Sequence, residues 1–268
     1  MKIGRQSHNT TSISASNPET IIVRGYDLVE QLIGRISFTD HMWLLVTGAL
    51  PTEGQRLVLD ATLVAIAEHG LVPSVQAARL TLAAAPEAMQ GAVAAGLLGC
   101  GSVILGSSQA AGHFFTDIRE LAKDQGIPSA ARAVAARYRA EKRAIPGYGH
   151  PLHKGGDARA KRLFAVAEQA GLGGEMAEIA HVVEGLLPEL TGKSLLLNVS
   201  GAIPAVLLDA GYPLLALKGA PLLARTASLI AHLLEEQTHP VGFVMAHAGS
   251  AAIHYDGPAP DDFTPNEN

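Results

Sequence analysis

The chain has 268 residues, which is long enough for one large domain or two modest ones with a buried core. Hydrophobic residues make up 48% of the chain and aromatic residues only 4%, and the abundance of Ala and Leu favours a helical protein with an aliphatic core. The net charge is −5 and Lys and Arg cluster only in short pairs, which argues against nucleic acid as a partner.

Cysteine usage and the apolar runs bear on the cellular compartment. Cys100 is the only cysteine, so no intrachain disulfide forms, and its Gly and Leu neighbours favour a buried, inert thiol over a nucleophile. The first residues lack the apolar region of a secretory signal. The apolar runs at 91–105 and 195–217 are too short, or too often broken by polar residues and proline, to cross a bilayer. These features predict a cytoplasmic protein without a membrane partner.

The N-terminal third begins with a strand signal and continues as helices. Residues 9–25 are rich in β-branched side chains around Asn17-Pro18, which predicts a short β-hairpin. From Asp27 the apolar spacing is helical, and Ser37 with Asp40 three positions later predicts an N-terminal capping box. A further helix is predicted at about 53–68, ending at His69-Gly70.

The middle of the chain is predicted to be helical, with one segment apolar on all sides. A helix over 75–82 is followed by a nearly uncharged helix over about 86–105, whose composition is typical of a central helix. Gly106-Ser107-Ser108-Gln109 is predicted to interrupt it before a helix that ends near 126. The basic helix over 130–143 is typical of a solvated face, with a ligand-contacting face as the alternative.

Four more helices are predicted in the C-terminal half. Their approximate ranges are 158–170, 174–187, 196–210 and 221–237. Residues 257–268 are rich in Pro, Asp and Asn without an apolar period, and are predicted to be a frayed tail.

Residues 146–159 are the strongest candidate for a binding loop. Two glycines between Pro146 and His150 allow the backbone to approach a ligand closely and then present an imidazole. Lys154 and Arg159 follow, and such cations suit a phosphate or carboxylate. A Gly/Pro turn with solvated charges is the alternative interpretation.

The same stretch resembles the Pro-Gly-Phe/Tyr-Gly-His … Asp-Pro-Arg motif of the citrate synthase superfamily. This superfamily includes citryl-CoA lyases, which the chain resembles most in type, and the C-terminal lyase part of ATP-citrate lyase. The ordered set of matches is specific to the superfamily and less so to one reaction. Further resemblances occur in family order at Arg24-Gly25-Tyr26-Asp27, Leu50-Pro51-Thr52, Glu68-His69-Gly70, Leu196-Leu197-Asn198-Val199-Ser200-Gly201, Ala224-Arg225-Thr226 and Ala231-His232.

The resemblance implies an all-α, citrate-synthase-like fold of two lobes with a short N-terminal β-hairpin. The implied large lobe comprises 1–110 and 222–268 and forms a homodimer. The implied small lobe, 111–221, carries the coenzyme A-binding loop, and the ligand lies in the cleft.

The resemblance also implies roles for individual residues. Superfamily members make or break the bond between an acyl-CoA α-carbon and the carbonyl carbon of a 2-oxo acid. His150 matches the histidine that handles the hydroxyl proton, and His69 a substrate-binding histidine that is catalytic in lyases. Arg159 and Arg225 match arginines that hold the acid, with Arg79 a weaker candidate. A structural or surface role is the alternative for each of these side chains.

Other matched positions concern coenzyme A and the framework of the site. The resemblance places the coenzyme along Gly147, Tyr148, Gly149 and Pro151, near Lys154. Asn198 matches part of the framework that holds the catalytic acid.

Two departures from the family pattern bear on the reaction. Synthases carry a histidine that donates to the thioester oxygen, and Gln109 stands at that position, as expected for a lyase rather than a synthase. The family sequence Asn-Val-Asp-Gly reads Asn198-Val199-Ser200-Gly201 here, and a serine hydroxyl cannot act as a carboxylate base near neutral pH. Ser200 either relays a proton through water or makes room for a different substrate.

These observations predict a carbon–carbon lyase of the citryl-CoA lyase type. Its substrate is a 3-hydroxy-3-carboxyacyl-CoA and its products are a short acyl-CoA and a 2-oxo acid. A condensing enzyme of the citrate or methylcitrate synthase kind and a catalytically reduced acyl-CoA-binding paralogue are the alternatives. His150 and His153 lack the neighbouring Cys or paired carboxylate that would complete a metal site, so no metal is predicted.

Overall fold

The structure is a computed structural model, and it describes residues 9–101, 105–149 and 155–260. The described residues are largely helical, which confirms the all-α prediction. The α-helices are Phe38–Thr47 (α1), Glu53–Ala67 (α2), Pro73–Ala84 (α3), Met89–Leu98 (α4), Gly106–Gln125 (α5), Ile127–Ala140 (α6), Ala158–Gln169 (α7), Glu175–Thr191 (α8), Val199–Asp209 (α9), Gly219–Thr238 (α10) and Gly242–Ala252 (α11).

The predicted N-terminal hairpin is present and is extended by a third strand. Strands Ser14–Ser16 (β1) and Ile21–Val23 (β2) pair antiparallel, and Tyr26–Asp27 (β3) pairs antiparallel with β2. The β2–β3 turn is Arg24-Gly25, where both residues have positive φ (49° and 90°), as two-residue hairpin turns of this type require. The helical pattern after Asp27 forms only a short π-helical turn, Leu28–Leu32.

Helix α1 begins at the predicted capping box. The Ser37 hydroxyl accepts the Asp40 N–H at 3.1 Å, and the Asp40 carboxylate accepts the Ser37 N–H at 2.9 Å. The helix ends at Gly48, whose φ of 87° is favourable only for glycine. Sequence and structure agree here because both partners of the cap lie within three residues of each other.

The prediction of one long central helix over 86–105 is wrong. Helix α4 ends at Leu98, and Gly106 begins α5, so the predicted interruption at 106–109 is the first turn of α5. Within α4 only Ala92 and Gly96 are buried, and Leu98 is 86% exposed. Small residues allow one face of α4 to pack closely, and the opposite face is apolar without being buried.

Helix α11 was not predicted from the sequence. Its residues are mostly Gly, Ala, Val and Met with a single histidine, so no apolar period distinguishes one face. The basic helix α6 agrees with the solvated interpretation, because the exposed Arg132 and Arg137 form ion pairs with Glu189 and Asp117. Cys100 is buried, as predicted.

The described chain divides into two compact units. Unit 1 contains Ser107–Ala220 and the described residues up to Ala65, and unit 2 contains Ile66–Gly106 and the described residues from Pro221 onward. These units group residues differently from the predicted lobes 1–110 with 222–268 and 111–221, which remain a prediction about ligand binding and assembly.

The two units have different cores. In unit 1, Phe114, Phe115 and Tyr138 pack in edge and tilted contacts, so the few aromatic residues are concentrated there. Unit 2 has the aliphatic core expected from composition, formed by Val75, Ala78, Leu82, Ala92, Leu229 and Leu233.

One described segment, Leu214–Thr238, has the length and apolar character of a membrane span, and 39% of its most apolar window is buried. Core helices of soluble proteins meet the same criterion, so this segment is weak evidence for a membrane.

Candidate active site

The glycine-rich loop of unit 1, residues 147–149, is hydrogen-bonded along its backbone to the segment 196–198 that leads into α9. The Gly149 N–H donates to the Leu196 carbonyl at 2.7 Å, and the Asn198 N–H donates to the Gly147 carbonyl at 3.0 Å. The Asn198 side-chain amide also donates to the Gly149 carbonyl at 2.6 Å. Two predicted site segments, 147–149 and 198–200, are therefore brought together by the fold.

Gly147 is required where the loop passes α9. Its φ is +91°, and a Cβ there would lie 2.8 Å from the Gly201 Cα. A Cβ on Gly201 would lie 2.6 Å from the Gly147 carbonyl oxygen. Neither position has room for a side chain, because the two backbones are in direct contact.

Tyr148 anchors the loop by pointing into unit 1. Its hydroxyl donates to the Ala180 carbonyl at 2.8 Å, and its ring meets Phe115 edge-on with centroids 6.4 Å apart. Burial, together with the negative charge of Glu184, raises the pKa of Tyr148 well above its ordinary value. The predicted coenzyme A contact at this residue would therefore involve its backbone rather than its phenol.

Three predicted site residues, His150, Pro151 and Lys154, lie outside the described residues. The hydroxyl-proton role of His150 and the coenzyme A roles of Pro151 and Lys154 stay predictions.

Asp157 joins the loop region to α9 and holds Arg159. Its carboxylate accepts the Val199 N–H at 3.0 Å and binds the Arg159 guanidinium through Nε at 3.0 Å and Nη2 at 2.9 Å. Burial raises the pKa of Asp157, but the bonds from Arg159 and Val199 outweigh burial and leave the pKa below its ordinary value. Nη1 of Arg159 makes no hydrogen bond within the described chain and can bind an anion.

The N-terminus of α9 carries Asn198 and Ser200. The Asn198 carboxamide oxygen accepts the Ser200 N–H at 2.9 Å and the Gly201 N–H at 3.2 Å, so Asn198 is the N-cap of the helix. The half-buried Ser200 hydroxyl makes no hydrogen bond to any other described residue. Gln109, in the first turn of α5, is likewise half-buried.

A cavity of about 420 Å³ adjoins this network in unit 1. Gly156 and Asp157 line it on one side and Leu196 on another, and Lys161 of α7 and Glu184 of α8 contribute charge. The Glu184 carboxylate also accepts the Leu197 N–H at 2.6 Å, so the cavity wall is tied to the segment that pairs with the glycine loop.

In unit 2, His69 lies in the turn between α2 and α3. The side chain of the neighbouring Glu68 accepts the His69 N–H at 2.8 Å and also accepts the Gly70 N–H. Gly70 has a φ of +73°, which turns the chain sharply after His69. His69 is half-buried, and its predicted catalytic role remains a prediction.

Arg79 and Arg225 are both 3% exposed, but their surroundings differ. Arg79 binds Glu236 through Nε at 2.6 Å and Glu235 through Nη1 at 2.7 Å. Nε and Nη1 of Arg225 are buried with no hydrogen-bond partner among the described residues. A buried unpaired cation is unfavourable without an anion, so Arg225 is the better candidate for a substrate carboxylate.

Within 9–101, 105–149 and 155–260, no group of three or more His, Cys, Asp and Glu side chains is arranged to hold a metal ion.

Comparison with protein families gives a match to the citrate synthase C-terminal domain over residues 54–241. The chain belongs to the citrate synthase family. The match extends over most of the chain and includes the glycine-rich loop and both candidate histidines. A comparison with curated protein sequences gives no significant match.

Solved structures with the citrate synthase fold include lyases and a synthase. Citryl-CoA lyase from Hydrogenobacter thermophilus is 31% identical with a TM-score of 0.83, covering 95% of this chain and 97% of that one. A mutant ATP citrate lyase from Methanosaeta concilii in complex with (3S)-citryl-CoA is 21% identical with a TM-score of 0.74, covering 96% of this chain and 43% of that one.

One citrate synthase with this fold is that from Thermoplasma acidophilum in a ternary complex with carboxymethyl coenzyme A and oxaloacetate. It is 21% identical with a TM-score of 0.66, covering 85% of this chain and 59% of that one. At this identity the similarity shows the family fold alone.

Two carboxylates that the structure places beside predicted site residues, Glu68 and Asp157, are not among the residues predicted from the sequence. Glu68 belongs to the Glu68-His69-Gly70 resemblance and Asp157 to the candidate loop 146–159. Each is adjacent or nearly adjacent to a predicted site residue, and that proximity was the available signal. Their bonds to Val199, Ser228 and His232 join residues distant in sequence, so these contacts could not be predicted.

Proposed function

We propose that the protein is a carbon–carbon lyase of the citryl-CoA lyase type, which acts on a 3-hydroxy-3-carboxyacyl-CoA. The observation that carries the proposal is the similarity, at 31% identity and over 95% of the chain, to a citryl-CoA lyase of almost the same length. Coenzyme A enters the reaction as the thioester of substrate and product.

In the proposed reaction, the 3-hydroxyl proton passes to His150 and the bond between the α-carbon and the hydroxyl-bearing carbon breaks. The hydroxyl-bearing carbon becomes the carbonyl carbon of the 2-oxo acid. The electron pair of the broken bond remains on the α-carbon as a thioester enolate, which takes up a proton to give the acyl-CoA. His69 binds the acid as its carbonyl forms.

The arginines support the proposal through their hydrogen-bonding state. Arg225 has two buried nitrogens without a partner, and Arg159 has one nitrogen that Asp157 does not engage. Each of these guanidinium groups can bind a carboxylate. The proposed substrate-binding role of Arg79 has less support, because its Nε and Nη1 already bind carboxylates of α10.

Ser200 determines how the enolate is protonated. A carboxylic acid would supply the proton directly, whereas the Ser200 hydroxyl has to act through a water molecule that it holds, or with help from Gln109. Loss of a proton-transfer group lowers a rate by about 10²–10⁴-fold, so we propose slow turnover on citryl-CoA itself.

The decisive experiment follows the release of 2-oxo acid from citryl-CoA and from a panel of 3-hydroxy-3-carboxyacyl-CoA analogues. We expect release from at least one member. Net condensation of an acyl-CoA with a 2-oxo acid, without cleavage of any panel member, would instead identify a synthase.

The second candidate function is a catalytically reduced acyl-CoA-binding protein, and Ser200 is the observation that favours it. Binding of acyl-CoA without release of 2-oxo acid from any panel member would support this alternative. The Ser200→Asp variant separates the two functions further, because a lyase should cleave citryl-CoA faster once the carboxylate is present. A folded variant that binds coenzyme A with unchanged or lower activity would count against the proposed site.

The predicted lobes, the homodimer and a cytoplasmic location complete the proposal. Large apolar side chains exposed on unit 2 support the homodimer. The single cysteine, which cannot form an intrachain disulfide, supports the cytoplasmic location.

A further inference from the structure

A hydrogen-bonded cluster in unit 2 surrounds the Glu68 carboxylate. One carboxylate oxygen accepts the His69 and Gly70 N–H groups, as described above. The other oxygen accepts the Ser228 hydroxyl and lies 3.0 Å from Nε2 of His232, both on α10. Glu68 therefore ties the His69 turn to α10 through four donors.

His232 lies between the Glu68 carboxylate and Arg79. Its Nε2 is 3.0 Å from Glu68, where a proton on this nitrogen is donated to the carboxylate, and its Nδ1 is 3.4 Å from Nη1 of Arg79. The imidazole therefore links Glu68 to the buried Arg79.

Salt bridges fix the position of Arg79, which contacts the ring of His232 opposite Glu68. Arg79 is paired with Glu235 and Glu236 of α10, and its Nη2 donates to the His239 carbonyl at 3.3 Å. This places Arg79 firmly against Nδ1 of His232. Arg79 therefore connects His232 to the carboxylates of α10.

The turn that carries His69 depends on this carboxylate. Helix α2 ends at Ala67, so the N–H groups of His69 and Gly70 lie beyond its last turn. Both donate to Glu68. Burial raises the pKa of Glu68, but the bonds from Ser228, Gly70 and His232 outweigh burial and leave the pKa below its ordinary value. The carboxylate is thus held in the ionised form, which is the better acceptor.

We propose that Glu68, held by Ser228 and His232, is a positioning residue that sets the backbone of His69 for the reaction. The inference rests on the proposed function, because His69 is assigned there to the substrate. Glu68 itself does not touch the reacting atoms. Its effect is on the placement of the imidazole, and displacements of about 1 Å in a catalytic group can lower a rate by about 10²-fold.

The test compares the Glu68→Ala variant with the unsubstituted protein in two measurements. In the cleavage assay we expect kcat to fall by about tenfold to a hundredfold while KM changes less than about twofold. In hydrogen–deuterium exchange we expect the His69 and Gly70 amides to exchange at least about tenfold faster, since both lose their acceptor. Glu87→Ala, which removes an exposed carboxylate from the same unit, should change neither measurement.

A pair of His232 variants separates positioning from a general loss of stability. His232→Gln keeps a side-chain N–H that can reach Glu68, and we expect its kcat to stay within about threefold of the unsubstituted value. His232→Ala removes the donor and should lower kcat as Glu68→Ala does. If Glu68→Ala does not fold, Ser228→Ala takes its place, because it removes one of the two side-chain donors to Glu68.

Three results would overturn the inference. The first is an unchanged exchange rate at both amides in the folded Glu68→Ala or Ser228→Ala variant. The second is a change in KM alone, and the third is an equal loss of kcat in both His232 variants. If the unsubstituted protein cleaves no thioester, the proposed function fails, and the exchange measurement still decides whether Glu68 holds the His69 turn.

Discussion

Gly147 and Gly201 lie where the glycine loop and helix α9 touch through their backbones. Gly201 has ordinary helical geometry, so alanine at this position would be favoured by about 1 kcal/mol on helix propensity alone. The added Cβ would, however, lie 2.6 Å from the Gly147 carbonyl oxygen, which is backbone and cannot move aside freely. The steric effect should therefore exceed the propensity effect.

We expect Gly201→Ala to lower the free energy of unfolding by about 1–3 kcal/mol, because the contact is overpacked. The matched control is Gly185→Ala on α8, where a Cβ would meet nothing within 4 Å, and alanine should stabilise by about 0.5–1 kcal/mol. Denaturant unfolding of both variants measures whether each substitution lowers or raises the free energy of unfolding. A neutral or stabilising Gly201→Ala would show that the loop does not approach α9 as closely as described.

Arg79 and Arg225 are a natural pair for comparison, since both lie in unit 2 and both are 3% exposed. Arg79→Met leaves Glu236 buried without its cation, and we expect a loss of about 3–5 kcal/mol in unfolding free energy. Arg225→Met removes a buried cation without a partner in the described chain, so stability should stay equal or rise.

The same Arg225→Met variant should lose affinity for the substrate acid, seen as a higher KM in the cleavage assay. Thermal unfolding and steady-state kinetics together measure both effects. A large loss of stability in Arg225→Met would mean that Arg225 pairs within the protein, and its assignment to the substrate would then fail.

At the scale of elements, Glu236 joins three helices of unit 2. Glu236 lies on α10. Its carboxylate binds Arg79 of α3 and accepts the Val241 and Gly242 N–H groups at the start of α11. Helix α11 has no capping side chain of its own. Its N-terminus is therefore stabilised by a residue of the preceding helix, and its position depends on an ionised Glu236.

Acid should weaken this junction. Burial raises the pKa of Glu236, but Arg79 and the two N–H groups outweigh burial, so the folded-state pKa lies below the ordinary 4.5. A lowered pKa stabilises the fold at pH values above 4.5, and this contribution is lost as the pH falls through the folded-state pKa.

We expect Glu236→Gln to destabilise by about 1.5–3 kcal/mol at neutral pH, with the difference from the unsubstituted protein shrinking as the pH falls below about 4.5. Urea unfolding over a pH series measures this trend. The exposed Glu235→Gln should have a much smaller effect at every pH, because water screens its interaction with Arg79. A difference for Glu236→Gln that does not depend on pH would contradict the role of the charge.

An element could be predicted from the sequence when the residues that stabilise its ends lie close to it in the chain. The capping box of α1 lies within four residues and was predicted correctly. The cap of α11 is Glu236, which lies outside the helix, and the helix itself has no apolar period, so it was missed. The prediction of a central helix over 86–105 is wrong because composition cannot distinguish a helix buried on every side from one that packs through a single face of small residues.

The candidate site shows the same limit. Motif order predicted that 147–149 and 198–200 belong to one site, and the hydrogen bonds between them agree. The bond from the Val199 N–H to Asp157 joins residues 42 apart, and the bond from His232 to Glu68 joins residues 164 apart. No local pattern encodes such contacts, and only the folded chain shows them.

At the scale of the whole molecule, the family match over residues 54–241 extends across parts of both units. The family is therefore defined by the chain as a whole rather than by one unit. Several large apolar side chains of unit 2 are mostly exposed in the single chain, among them Leu98 at 86%, Phe243 at 72% and Leu234 at 62%. Soluble proteins commonly cover such side chains by association.

The homodimer that the family resemblance implies is consistent with this exposure and is tested by the mass in solution. Light scattering should give about 56 kDa, twice the 27.9 kDa of the chain. The double variant Leu98→Glu with Phe243→Glu should halve this mass, because charges would then have to be buried in the interface. Leu215→Glu, which replaces an equally exposed leucine of unit 1, should keep the dimer. A monomer in the unsubstituted protein, or a dimer that survives the double variant, would show that these side chains do not mediate association.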